Sequence, residues 1–309
     1  MSDVITKRKG KQCVTVTLAE LIQLATHAKQ LKMSAKRVRS AQSGQHLSRL
    51  LGKGMDFAES RRYQIGDDIR CIDWRITART GKTHTKLFTE EKERQVLLWI
   101  DMRSSMFFAT QGVFKSVQAA LMASYIGWNA ALKGNRLGGF IFDDVNQHEF
   151  RPTLGRKSVL PLLQKLSEYE RHLTKPDKLT ATKNMDEAIL SIQRVVSPGS
   201  LIFLISDFRH LSSNSRDILM QIARHSNLCL CFLHDTFEAR LPKKSNYSVT
   251  DGQDEVKLNL NQLPMMQKYQ ELFLERKNQI NSLSTHQHIH VIEVSTEDDC
   301  YEVLRTNFR

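Results

Sequence analysis

The chain has 309 residues, with 45 Lys and Arg against 33 Asp and Glu, a net charge of +12 and five cysteines. That length can bury a full core, no apolar run approaches the ~18 residues needed to span a bilayer, and the polar, basic first residues argue against a secretory leader. An odd cysteine count without a Cys-x-x-Cys pair fits reduced thiols, so a cytoplasmic setting is expected.

The basic excess sits early. The first hundred residues hold 20 of the Lys and Arg and 10 of the Asp and Glu, densest around Lys7 to Lys11 and Lys29 to Arg39. Such a surface suits an anionic partner: nucleic acid or an anionic membrane surface on one reading, an acidic protein on the other. No nucleic-acid motif or aromatic stacking platform accompanies the charges, which speaks against nucleic acid.

Residues 1–94 lack a regular strand–helix rhythm. Leu18 to Leu31 has the spacing of an amphipathic helix, and Ala41 to Leu51 reads as a polar loop. Residues 61–75 then crowd four Arg (Arg61, Arg62, Arg70, Arg75) and three Asp (Asp67, Asp68, Asp73) around Gly66. Gly66-Asp67-Asp68 reads as a turn. Tyr63, Ile65, Ile69, Ile72 and Trp74 suggest partial burial, and buried charges need partners. The expectation is one network of Arg62, Asp67, Asp68, Arg70 and Asp73, with Arg79 nearby and Trp74 packed beneath, in an irregular or β-like collar completed by Thr83 to Thr89.

From Gln95 onward strand and helix patterns alternate, which predicts a doubly wound, mostly parallel α/β sheet. Strands are expected at Val96 to Ile100, Arg136 to Phe142, Gln147 to Pro152, Leu201 to Ser206, Leu228 to Leu233 and His288 to Val294, with a hairpin over Tyr247 to Leu258. Helices are expected at Val113 to Leu132, Ser158 to Glu168, Met185 to Val196, Asp217 to His225 and Gln262 to Leu283. Tyr125 and Trp128 share a helix with Ala119 and Met122, a core pattern.

The order Gly52…Gly54, Phe57, Arg62-Tyr63, Gly66-Asp67-Asp68, Arg70, Ile72-Asp73-Trp74, Ala78-Arg79, then a strand ending Asp101-x-x-x-Ser105-Met106, resembles a bacterial family. That family is the domain-of-unknown-function 58 group, von Willebrand factor A-like proteins associated with MoxR-type AAA+ ATPases. The resemblance continues through Leu204 to Phe208 and His234-Asp235…Glu238…Leu241-Pro242, covering roughly residues 50–245. It implies a von Willebrand factor A-like domain over residues 95–309, with residues 1–94 packed on it as an appended subdomain. It also implies a non-enzymatic protein-interaction module, an adaptor or co-chaperone acting with such an ATPase on a client protein.

Relatives carry a metal-ion-dependent adhesion site at the strand ends: Asp-x-Ser-x-Ser, a loop Thr, and an Asp after the fourth strand. Oxygen ligands of that kind suit Mg²⁺. Asp101, Ser105 and Asp207 match three positions, but Arg103 replaces the first Ser and Lys183 stands where Thr belongs, with Thr182 one residue short. Cations there repel a dication and can pair the carboxylates instead. A degenerate Mg²⁺ site and a metal-free Arg–Asp core both remain open, and in either case Arg103, Thr182 and Lys183 form a rim able to meet an acidic partner residue.

His286, His288 and His290 would share one strand face but lack a completing ligand, so surface histidines are the simpler reading. Cys229 and Cys231 read as small buried residues. There is no Gly-x-Ser-x-Gly elbow, no phosphate-binding Gly-x4-Gly-Lys-Ser/Thr loop, and no dinucleotide Gly-x-Gly-x-x-Gly turn, since Gly134, Gly138 and Gly139 flank a strand.

Overall fold

The computed structural model describes residues 11–31, 33, 55–90, 93–169, 185–239, 246–250, 255–259 and 263–308. They fall into two compact units, one of Met1–Arg39 with Arg94–Arg309 and one of Ser40–Glu93.

The larger unit begins with three short helices, α1 (Lys11–Val14), α2 (Leu18–Gln23) and α3 (Ala25–Ala28). Thr17 starts α2 with a capping box, its hydroxyl accepting from Glu20 N while Glu20 returns to Thr17 N. The single helix expected over Leu18 to Leu31 is thus broken into two pieces.

The smaller unit pairs β1 (Met55–Arg62) with β2 (His84–Glu90) antiparallel, and carries α4 (Trp74–Thr80) between them. Gly81, at φ 66°, ends α4 in the left-handed conformation that glycine adopts without a Cβ clash.

The chain then builds a six-stranded sheet from β3 (Gln95–Asp101), β4 (Arg136–Phe142), β5 (Gln147–Leu154), β6 (Leu201–Ser206), β7 (Asn227–His234) and, last in sequence, β10 (Ile289–Ser295). Between them run α5 (Lys115–Leu132), α6 (Arg156–Tyr169), α7 (Met185–Gln193), α8 (Ser213–Ala223), α9 (Thr236–Ala239), the separate hairpin β8 (Asn246–Thr250) and β9 (Glu255–Asn259), and α10 (Leu263–Leu283); α11 (Cys300–Asn307) closes the chain. The spatial order is β10-β7-β6-β3-β4-β5, parallel throughout except for the antiparallel edge strand β5. The fold is the doubly wound, mostly parallel α/β class. Gly139 in β4 is required by close approach, since a Cβ there would meet Leu98 O at 2.3 Å.

Alternate residues of each strand feed opposite cores, as period-two geometry demands. Leu98, Ile100, Phe203, Ile205, Cys229 and Cys231 pack with α5, α6 and α11, while Leu97, Trp99, Ile202, Leu204, Leu228 and Leu230 pack with α7, α8 and α10. Helix α5 is buried almost all round because the N-terminal helices cover its outer face. Ser124 Oγ and Trp128 Nε1 donate to Leu21 O at 2.7 and 3.0 Å, and Asn129 Nδ2 donates to Ala28 O and Leu31 O. The expected division at residue 94 is therefore corrected. Residues 11–31 are part of the sheet unit, because an apolar helix buried on every side needs a second layer, and the boundary of the small unit lies at 40 and 93.

Candidate functional site

The site lies at the topological switch point. From β3 the chain runs to β4 on one side and returns to β6 on the other, so the carboxyl ends of β3 and β6 open side by side. Each ends in the same tripeptide pattern, Asp101-Met102-Arg103 and Asp207-Phe208-Arg209. In both, the Asp carboxylate accepts from the backbone N–H of the Arg, at 3.0 Å for Arg103 and 3.1 Å for Arg209.

The guanidinium groups then diverge. Arg103 folds back on its own aspartate, Nε to Oδ1 at 3.0 Å and Nη2 to Oδ2 at 2.7 Å, a bidentate fork. Its Nη2 also lies 4.0 Å from Asp207 Oδ1 and 3.4 Å from Arg209 O, while its Cζ stands 5.6 Å from the centroid of the Phe142 ring. Ser206 Oγ donates to Asp101 Oδ2 at 2.6 Å and accepts from Phe208 N, which ties the two strand ends together. Arg209 instead reaches forward, Nε 3.3 Å from Asp207 Oδ2 and Nη2 2.6 Å from Glu238 Oε1 on α9.

The third cation is Lys115, the first residue of α5 and fully buried. It donates to Asp207 Oδ2 at 3.0 Å and to Glu238 Oε1 at 2.8 Å. A lysine at a helix N-terminus opposes the helix dipole, so these two carboxylates are what make the position tolerable. Asp101, Asp207 and Glu238 are thus each paired with Arg103, Lys115 or Arg209, and Arg276 of α10 adds a further positive charge near Asp207 and Glu238. Phe208 (φ 50°) and His210 (φ 64°) hold left-handed backbone beside this cluster, a conformation that costs non-glycine residues energy and gathers at functional sites.

Protonation follows from the partners. Burial pushes the Asp101 carboxyl above its ordinary value against the pull of Arg103, so its charge depends on that guanidinium. Arg103 rises above its ordinary value, because Asp101 more than offsets the effect of burial. Burial also works to raise Asp207, but Lys115 and Arg209 overcome it and hold the carboxyl well below the usual range.

These residues do not fit a divalent cation. Both oxygens of Asp101 already accept from the Arg103 guanidinium, and Asp207 accepts from Lys115 Nζ at Oδ2 and from Arg209 N at Oδ1. Among the described residues no group of three His, Cys, Asp or Glu could hold a metal. Ser105 Oγ is buried without a hydrogen bond and does not join the cluster. Thr182 and Lys183 lie outside the described residues. Lys115, Arg209 and Ser206 escaped the sequence reading. The repeated Asp-x-Arg was the available signal for Arg209, and a lysine opening an otherwise apolar helix was the signal for Lys115.

The arginine-rich block of the small unit is arranged differently from the expectation. Asp67 pairs with Arg61, at 2.7 Å, and accepts from Gln64 N. Asp68 accepts from Arg70 N, and Asp73 caps α4 by accepting from Arg75 N and Ile76 N while Ser60 Oγ bonds its other oxygen. Arg62, Arg70 and Arg79 are exposed and take no part in a carboxylate network among the described residues, and Trp74 is 69 % exposed rather than packed beneath one. The physical reason is local. An Asp just before a helix or turn is closest to unpaired backbone N–H groups, and these take its oxygens first. The three histidines likewise make no common site; His286 precedes β10, and His288 and His290 face Asn227 and Asn307 separately.

Among proteins of known sequence, the chain is 28% identical over 236 residues to "Uncharacterized protein Rv1480" of Mycobacterium tuberculosis (strain ATCC 25618 / H37Rv), covering 76% of this chain and 72% of that one. "Uncharacterized protein Mb1516" of Mycobacterium bovis (strain ATCC BAA-935 / AF2122/97) matches to the same extent, 28% over 236 residues with 76% and 72% coverage. Among solved structures, it is similar to the conserved hypothetical protein BatB from Bacteroides thetaiotaomicron, with TM-score 0.40, 13% identity and coverage of 69% of this chain and 96% of that one. It is also similar to the SpRpn10 VWA domain, with TM-score 0.36, 9% identity and coverage of 70% and 95%. Residues 59–279 match the family model described as "Protein of unknown function DUF58", and the chain belongs to that family.

Proposed function

We propose that the protein is a non-enzymatic interaction module that works as an adaptor or co-chaperone for a MoxR-type AAA+ ATPase in assembling or maturing a client protein. The observation that carries this reading is the mutual neutralisation of the strand-end cluster: every carboxylate there is matched to a fixed cation. A catalytic acid or base must be free to exchange a proton with substrate, whereas these groups lock one another. What the strand-end face offers instead is a rigid rim, with Ser104 and His210 exposed around the buried ion pairs. Fold alone does not assign function. The reading rests on that locked chemistry together with family membership, and cytoplasmic placement accords with no described helix being long and apolar enough to cross a membrane.

The test is co-purification of a tagged MoxR-type ATPase from the same organism with the full chain. Ser104→Arg and His210→Glu on the rim should abolish capture, and Lys133→Glu, exposed after α5 at the opposite strand ends, should leave it intact. Capture unaffected by either rim change would remove the strand-end face from the reading, and no capture by the parent chain would remove the ATPase.

A further inference from the structure

The residues between β1 and β2 combine two unusual features. Arg62, Arg70, Arg75 and Arg79 are exposed, and none is paired with a carboxylate among the described residues, because Asp67, Asp68 and Asp73 are committed to Arg61 and to backbone N–H groups. The three most exposed large apolar side chains of the described residues, Ile65 at 103%, Trp74 at 69% and Ile69 at 67%, fall within the same short stretch. Elsewhere exposed apolar residues are scattered and less exposed, as is normal for a protein surface.

We propose that this stretch is a docking surface for an acidic segment of a partner protein anchored by apolar side chains. Charge complementarity selects the acidity, since these four guanidiniums face no carboxylate among the described residues. The anchors select a protein. Trp and Arg are the residue types that dominate protein–protein binding energy, and Ile65 and Ile69 offer aliphatic area that a partner's Leu or Phe can bury but that no base can stack on. The carboxylates' commitment to caps keeps the turn and α4 rigid, so the surface is preformed. The proposal uses different residues from the strand-end reading, and either can fail without the other.

Trp99 and Trp128 are buried, so quenching by acrylamide in the full chain reports Trp74. The parent should show a readily quenched emission component that is missing in Trp74→Phe. A synthetic peptide alternating Glu with Leu and Phe should shield that component, shift it to the blue, and raise the anisotropy of a labelled copy. The double variant Arg70→Glu, Arg75→Glu should weaken peptide binding at least about tenfold, while Arg70→Lys, Arg75→Lys, which keeps the charge and controls for folding, should stay within about threefold. A Trp74 already shielded in the free chain would overturn the proposal in favour of a surface covered by the chain itself. Binding of a single-stranded oligonucleotide but not the peptide would overturn it in favour of nucleic acid, and binding of neither would overturn it outright.

Discussion

At the carboxyl ends of β3 and β6 each carboxylate faces a cation, whereas between β1 and β2 each aspartate gives one oxygen to backbone N–H groups and four arginines face outward. Both regions combine three acidic residues with arginines, gathered from distant strands at the sheet ends and from one short stretch in the small unit. The difference is burial. Desolvation makes an unpaired charge untenable at the sheet ends, so Lys115, Arg103 and Arg209 converge on Asp101, Asp207 and Glu238. In the small unit water solvates the guanidiniums, and the aspartates are left to start the turn and α4. Composition is nearly the same in the two places; solvent access decides whether it becomes an internal lock or an outward surface.

The largest effect expected from this contrast is at Lys115. Lys115→Met leaves Asp207 and Glu238 without their buried cation, sharing only the half-exposed Arg209, and should lower the unfolding free energy by about 3–5 kcal/mol, read from the urea midpoint. Arg70→Ala removes an exposed charge and should leave the melting temperature within about 1–2 °C of the parent. Comparable losses from the two changes would erase the distinction between the regions.

A smaller effect should appear in acid. Asp207 is held below its ordinary value, so its stabilising contribution is complete above the unfolded carboxylate pKa of about 4 and is lost as pH falls from there toward its folded value. Asp101 is raised and acts with the opposite sign, favouring the fold as it takes up a proton. The difference in unfolding free energy between parent and Asp207→Asn should therefore hold between pH 7 and about 5 and shrink as pH is lowered below about 4. A difference that stays constant would mean that Asp207 owes nothing to Lys115 and Arg209.

Asp73→Ala comes next. The sequence suggested a member of a buried charge network, whose removal would be severely destabilising. As a cap on α4 its loss should cost a few degrees, about 2–4 °C in melting temperature, and a fall of more than about 10 °C would restore the network reading.

The fold was readable because its strands are long apolar runs punctuated by Gly, Asp and Pro. Arg136 to Phe142 and Leu201 to Ser206 match the observed strands residue for residue. The Arg–Asp contact at β3 was suggested by Arg103 replacing a hydroxyl residue. Its third cation was not, because Lys115 lies 92 residues from Asp207 in sequence and only the sheet order brings α5 over the end of β6. In the small unit Tyr63 and Ile72 are half-buried as expected, but Ile65, Ile69 and Trp74 were also read as partly buried, an inference from residue type that the exposed turn defeats. The helix α4 was missed for a related reason: Trp74 to Thr80 is too short to show periodicity, and its signals are Asp73 before it and Gly81 after it.

The last prediction concerns magnesium, where the expected effect is nil. A Mg²⁺ ion needs oxygen ligands free to approach at about 2.1 Å in octahedral array. Asp101 offers none, since Arg103 occupies both of its oxygens, and Asp207 is held by Lys115 and Arg209. Entry would require displacing hydrogen-bonded cations from a buried site and leaving them beside a dication. A ligand that binds the folded state at a hundredfold excess over its dissociation constant adds about 2.7 kcal/mol of stability, which thermal unfolding would register readily. Millimolar Mg²⁺ or Mn²⁺ should therefore leave the melting temperature of the parent unchanged. Arg103→Ser should also fail to create a response, because Lys115 and Arg209 still hold Asp207. A clear upward shift in the parent, lost in Asp101→Ala, would show that the cations yield to the metal and that the cluster is not closed.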